Sequence, residues 1–129
     1  MSANDSPAIL LKRKNHEEKT REMFKHLKND TMFSDVTLSS EDNKSISVHK
    51  TILSYSSPYL YSILHTNASS TQIILPIKYF HLQSLVEYIY FGEARVEVLQ
   101  VREFLDIANI LQIRGLCSDD RIRKTQQVK

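Results

Sequence analysis

The spacing of apolar positions changes along the first third of the chain. Residues 16–29 are strong helix formers in which Met23, Phe24 and Leu27 make an apolar stripe at helical spacing. The stripe is narrow and its surroundings are charged, so this helix is predicted to lie on a surface or against a partner. Residues 34–39 alternate instead, with Val36 and Leu38 on one face and Asp35, Thr37 and Ser39 on the other. Residues 45–48 repeat the alternation through Ile46 and Val48, and the polar stretch 40–44 between them reads as a turn. A β-hairpin is the prediction.

Helical spacing then returns. Ile52 and Leu53 place a short buried helix over 49–55. Ser57-Pro58 opens the next, since serine can cap free amides and proline at the first helical position sacrifices no hydrogen bond. Tyr59, Leu60, Ile63 and Leu64 line its face. A polar loop at 67–71 leads to a third strand at 72–75, stopped by Pro76. Residues 79–91 carry the clearest pattern: Leu82, Leu85, Val86, Ile89 and Tyr90 fall at i, i+3, i+4, i+7 and i+8. Gly92 follows where a helix wants a left-handed residue. Val96 and Val98 predict a brief strand, and Val101, Phe104, Leu105, Ala108 and Leu111 a last helix ending near Gly115. At the N-terminus, Ile9, Leu10 and Leu11 can form a short strand flanked by charge. These elements describe one α+β domain, mostly helical, with a small β-sheet capped by helices.

Composition narrows the function more than the fold. A chain of 129 residues, 41% hydrophobic and 25% charged, suits one domain with a real core. Cys117 is the one cysteine, so neither an internal disulfide nor a cysteine-based zinc site is available, and a reducing compartment fits. No run approaches the roughly 20 apolar residues of a membrane span. The net charge is +2, but residues 31–113 carry more acids than bases and the basic excess sits at the two ends. That distribution argues against a nucleic-acid-binding body, which needs a dense basic face. Two glycines do not make a phosphate-cradling loop. His16, His26, His49, His65 and His81 show no paired metal spacing. The chain is therefore read as a non-enzyme without cofactor or metal.

At this point the motifs resemble a known family. Phe33-Ser34-Asp35-Val36-Thr37-Leu38 looks like the opening hairpin of BTB (POZ) domains. His49-Lys50-Thr51-Ile52-Leu53-Ser54, then Ser57-Pro58-Tyr59-Leu60, resembles their next two helices. The run LVEYIYFGE at 85–93 and the residues Phe104-Leu105, Ala108, Leu111-Gln112-Ile113 and Gly115-Leu116 resemble the later ones. Residues 9–16 are similar to the F-x-L-R-W-N-N-H opening of tramtrack-group members. Leu11, Asn15 and His16 agree, while Arg13 replaces the tryptophan and Lys14 the first asparagine. The implied organisation is a loose tail at 1–8, a BTB domain at 9–117 with its dimerisation strand and helix at 9–32, and a polar tail at 118–129.

The resemblance implies homodimerisation, with higher assembly in tramtrack-group relatives. It also implies co-regulator recruitment by a transcription or chromatin regulator, and a nuclear location. The rival is a substrate adaptor for a cullin-type ubiquitin ligase, with a cytoplasmic location open. Other BTB proteins are further candidate partners; direct nucleic-acid and membrane contact are not expected.

Ile9, Leu11, Met23, Phe24 and Leu27 are the expected dimer interface. The helix stripe can instead pack on its own core, and 9–12 can be either a strand added to a partner's sheet edge or a loose basic tail. Asp35 and Lys50 match a charged pocket near the dimer groove and are expected as an ion pair. His49 reads as a hydrogen-bonded structural histidine. The tyrosines at 55, 59, 61, 79, 88 and 90 divide between core and interface.

Overall fold

The computed structural model describes residues 6–116. Its elements are α1 (His16–Asn29), β1 (Val36–Ser39), β2 (Ser45–Val48), α2 (Lys50–Ser56), α3 (Pro58–Thr66), β3 (Gln72–Ile74), α4 (Tyr79–Phe91) and α5 (Val101–Ile110), with a 3-10 turn at Val98–Gln100 before α5. Cys117 and the polar tail expected at 118–129 lie outside the described residues.

Alternation in the first hairpin becomes burial on one face. Val36 and Leu38 enter the core, and β1 pairs antiparallel with β2 so that Leu38 faces Ile46. The helices α2 and α3 carry the chain over to β3, which runs parallel to β1 with Leu38 opposite Ile73. The sheet order is β2-β1-β3, so β1 is the middle strand. Leu53, Leu60, Leu82 and Leu85 join Leu38 as wholly buried side chains. They come from α2, α3 and α4, so one core lies between the sheet and these helices. The predicted stripe of α4 is the face that does this.

Two carboxylates bracket β1 and hold helix starts. Asp35, just before the strand, accepts a hydrogen bond from the Lys50 backbone N–H at the start of α2 (2.7 Å). Asp42, in the hairpin turn, accepts one from the Tyr79 N–H at the start of α4 (3.0 Å). The Ser40 hydroxyl, before the backbone amides around it, holds the Asp42 carboxyl below its ordinary pKa. α3 is capped locally, by Ser57 accepting from the Leu60 N–H, as predicted.

Two predicted elements differ. The strand expected at Val96 and Val98 is not formed: Val98–Gln100 is a 3-10 turn and Val96 lies in irregular chain. A strand needs a hydrogen-bonded neighbour, and the three-stranded sheet offers this segment none. Arg95 is instead tied to α4, its N–H donating to Glu87 and its carbonyl accepting from Ser84 Oγ. Likewise residues 7–13 form no strand within the chain. The last helix also ends early, at Ile110 rather than near Gly115. Gln112 takes the left-handed conformation (φ 56°). Its N–H bonds to Asn109 O while the Ile113 N–H bonds to Ala108 O. That paired closure is the Schellman motif, here without glycine. Gly115 also takes a positive φ (91°), and a Cβ there would collide with the Tyr88 hydroxyl.

Candidate interaction surface

Helix α1 has fourteen residues and none is buried. Its stripe is divided. Phe24 and Leu27 are half-buried and pack against the core of their own chain, where α1 lies against α4. Lys28 Nζ stands 5.8 Å from the centre of the Phe91 ring and closes that contact with a cation–π interaction. Met23 turns away and stays 52% exposed. Ahead of the helix, Ile9 and Leu11 are 85% and 83% exposed, in irregular chain. Of the five expected interface residues, the single chain therefore absorbs part of two and leaves three open.

Beside α1 runs an apolar groove of about 510 Å³, lined by Phe24, Ile52, Tyr55, Tyr88, Ile89 and Ile113. Tyr55 stands out at its rim. The Arg114 guanidinium lies 5.6 Å from the centre of the Tyr55 ring, and Arg114 Nε donates to the Tyr55 carbonyl. Tyr59 and Tyr61 are also exposed, whereas Tyr90 is buried. A surface of aromatic side chains and one arginine has the composition of binding hot spots.

The expected ion pair of Asp35 and Lys50 is absent. The two residues are adjacent, but Asp35 bonds the Lys50 backbone, while Lys50 Nζ donates to the Ala68 carbonyl at 2.8 Å. The carboxylate is taken by a helix amide whose alternative partner is water, and the ammonium by a carbonyl beyond α3. Asp35→Ala is expected to cost about 1 kcal/mol, the value of a lost helix cap. With Lys50→Ala the losses should add within about 0.5 kcal/mol, since the partners differ. Strong coupling in a denaturant double-mutant cycle would restore the ion pair.

His49 is the structural histidine expected. Its backbone N–H donates to Tyr90 Oη (3.0 Å) and its Nδ1 lies 2.6 Å from the same oxygen. Burial of Tyr90 pushes its pKa up to about 12, so at neutral pH the hydroxyl keeps its proton within this contact. Sequence reading missed this partner because 41 residues separate the two. It likewise missed buried His81, whose Nε2 is 2.6 Å from Glu103 Oε1 and joins α4 to α5. The Tyr90 pKa sits above its ordinary value of 10. The stabilisation is therefore whole below pH 10 and fades as pH rises toward 12. The stability gap between the native chain and Tyr90→Phe should shrink over that window in urea unfolding. A gap constant from pH 9 to 11 would contradict the assignment.

Among the described residues no group of His, Cys, Asp and Glu could hold a metal ion. No helix among them is long and apolar enough to cross a membrane. The arrangement offers apolar surface and exposed aromatics.

The profile of the BTB/POZ domain family matches residues 24–122. The chain belongs to the BTB/POZ family. BTB domains are protein–protein interaction modules, found among transcription regulators, and are not enzymes. The domain is 39% identical over 95 residues to the Longitudinals lacking protein-like of Drosophila melanogaster, covering 72% of this chain and 74% of that one. It is 31% identical over 120 residues to Protein tramtrack, alpha isoform, of the same organism, covering 90% of this chain and 15% of that one. This likeness agrees with the tramtrack-group resemblance. In three dimensions it is similar to the BTB domain of zebrafish PATZ1, with a TM-score of 0.75 and 18% identity, over 92% of this chain and 99% of that one. That likeness bears out the predicted fold.

Proposed function

We propose that this BTB domain pairs with a second copy of itself through α1 and residues 9–12. Paired in this way, it joins two copies of a nuclear transcription or chromatin regulator and presents a shared surface to co-regulators. The observation that carries this reading is α1, a helix with no buried residue and with Met23 facing out. Full burial of such a side chain is worth roughly 1.5–3 kcal/mol. A two-fold axis would present the same face of α1 on both copies, as in isologous dimers.

A second feature supports the same partner. Residues 9–12 and the Val96 to Val98 stretch both have a strand-like sequence pattern, and neither has a strand neighbour among the described residues. Each can supply the other's missing edge if 9–12 of one copy lies beside Val96 and Val98 of the next. Backbone hydrogen bonds then give affinity without a special side chain at Arg13. The relatives that are transcription regulators support a nuclear location for this reading.

Absolute mass by light scattering, across a concentration series of the native chain, tests the reading. A dimer, or a multiple of it, at every concentration supports self-association. A monomer throughout would overturn it and move the partner to a different protein, such as a cullin.

A further inference from the structure

Two stretches of the chain leave their apolar side chains almost wholly open. Leu10 and Leu11, ahead of α1, are 79% and 83% exposed, and Val98 and Leu99, between α4 and α5, are 87% and 91% exposed. A charge adjoins each pair, Lys12 after the leucines and Glu97 before the valine. Both charges are exposed, and neither side chain enters an ion pair or hydrogen bond among the described residues. The two triplets therefore read in mirrored order. Leu10-Leu11-Lys12 is apolar, apolar, cation, and Glu97-Val98-Leu99 is anion, apolar, apolar. Mirrored triplets match position for position when the two segments run antiparallel.

The backbone sets the limits of such a pairing. Among the described residues, no backbone hydrogen bond ties residues 9–12 or Val96. Arg95 closes one end, because its N–H and its carbonyl are both held by α4. Asn15 closes the other, where the chain turns left-handed (φ 58°) into α1. Strand pairing is thus open at Val96 and Glu97. Beyond them the 3-10 turn begins at Val98, and contact there is between side chains.

Within those limits the registers are unequal. With Lys12 across from Glu97, Leu11 meets Val98 and Leu10 meets Leu99. A slip of one residue sets Leu11 across from Glu97 and Lys12 across from Val96. A slip of two sets Leu10 across from Glu97 and Lys12 across from Arg95. A parallel arrangement with Lys12 at Glu97 carries Arg13 and Lys14 onto Val98 and Leu99. One register alone puts apolar on apolar and cation on anion. Opposite charges across two strands attract and like charges repel, so the ion pair selects the register as well as the partner.

We propose that Leu10-Leu11-Lys12 of one copy runs antiparallel to Glu97-Val98-Leu99 of the other, and that the ion pair of Lys12 with Glu97 across the two copies fixes this register. The proposal rests on the self-pairing reading above and adds direction, register and the side chains that choose the partner. Two-fold symmetry forms the ion pair twice in each dimer.

Charge reversal tests it. Lys12→Glu alone and Glu97→Lys alone each place two like-charge contacts in their own dimer, and each should raise the dissociation constant by about tenfold. Lys12→Glu/Glu97→Lys in one chain restores both ion pairs with the signs exchanged, and should return to the native dissociation constant. Sedimentation over a concentration series reads these values. The decisive arm refolds the two single variants together from urea and counts dimers by native mass spectrometry. A mixed dimer has both of its contacts opposite in charge. About nine dimers in ten should then be mixed, against half if the chains pair without preference.

A variant damaged in its own fold could not be rescued by mixing, so enrichment also certifies the fold. Mixed dimers at half, or single variants with the native dissociation constant, would overturn the register and leave self-pairing standing. A native chain that stays monomeric would overturn both.

Discussion

Met23→Asp is expected to shift the BTB domain from dimer toward monomer at micromolar concentration. Met23 is 52% exposed in the single chain, so pairing can still bury about half of a side chain worth roughly 1.5–3 kcal/mol. In a two-fold interface every substitution occurs twice, which brings the apolar loss alone to roughly 1.5–3 kcal/mol. Two carboxylates placed in an apolar contact add a desolvation cost to that. The dissociation constant should therefore rise by about a hundredfold or more.

Phe24→Asp is the weaker probe, although Phe24 lies in the same stripe. Its ring already packs on the core of its own chain, so a charge there damages the monomer as well. Ile110→Asp, at an exposed position of α5 outside the expected interface, is the control and should keep the native mass. Light scattering reads all three. A Met23→Asp domain with undiminished mass would exclude the exposed face of α1 from the interface.

Leu38→Ala is expected to cost about 2–5 kcal/mol of folding free energy. Leu38 is wholly buried on the middle strand, with Ile46 and Ile73 directly beside it on β2 and β3. A strand hydrogen-bonded on both sides cannot move inward to fill the space, so the upper part of that range applies. Total stability of a domain this size is about 5–15 kcal/mol, and one such loss removes a large share of it. Ile74→Ala, at an exposed position on β3, should stay within about 0.5 kcal/mol. Urea unfolding at one fixed protein concentration measures both, because pairing adds stability by mass action. A Leu38→Ala loss below about 1 kcal/mol would move the core away from the middle strand.

Much of the fold was legible because period is local. The α4 stripe, the Val36 and Leu38 alternation and the Ser57 cap each depend on residues within one or two turns of each other. The sequence reading placed them where the structure has them. The family was legible for a related reason, since its motifs occur in order along 33–116.

The end of α5 was misread because glycine is the usual left-handed residue, and Gln112 took that role at the helix end, three residues before Gly115. The Val96 and Val98 strand was misread for a different reason. Alternation marks a segment that can be a strand, and only a neighbour makes it one.

By itself, then, the sequence determined which segments are helices, which side chains form the core, and that α1 is too polar for the interior. Tertiary structure decided the pairings of groups far apart in the chain. It turned Asp35 from an ion-pair partner into the cap of α2, set His49 against Tyr90, and split the α1 stripe between a half-buried Phe24 and an exposed Met23. Hydrophobic period is written in neighbouring residues. A hydrogen bond across 41 positions depends on where the packed core brings two backbones, and no local pattern carries that.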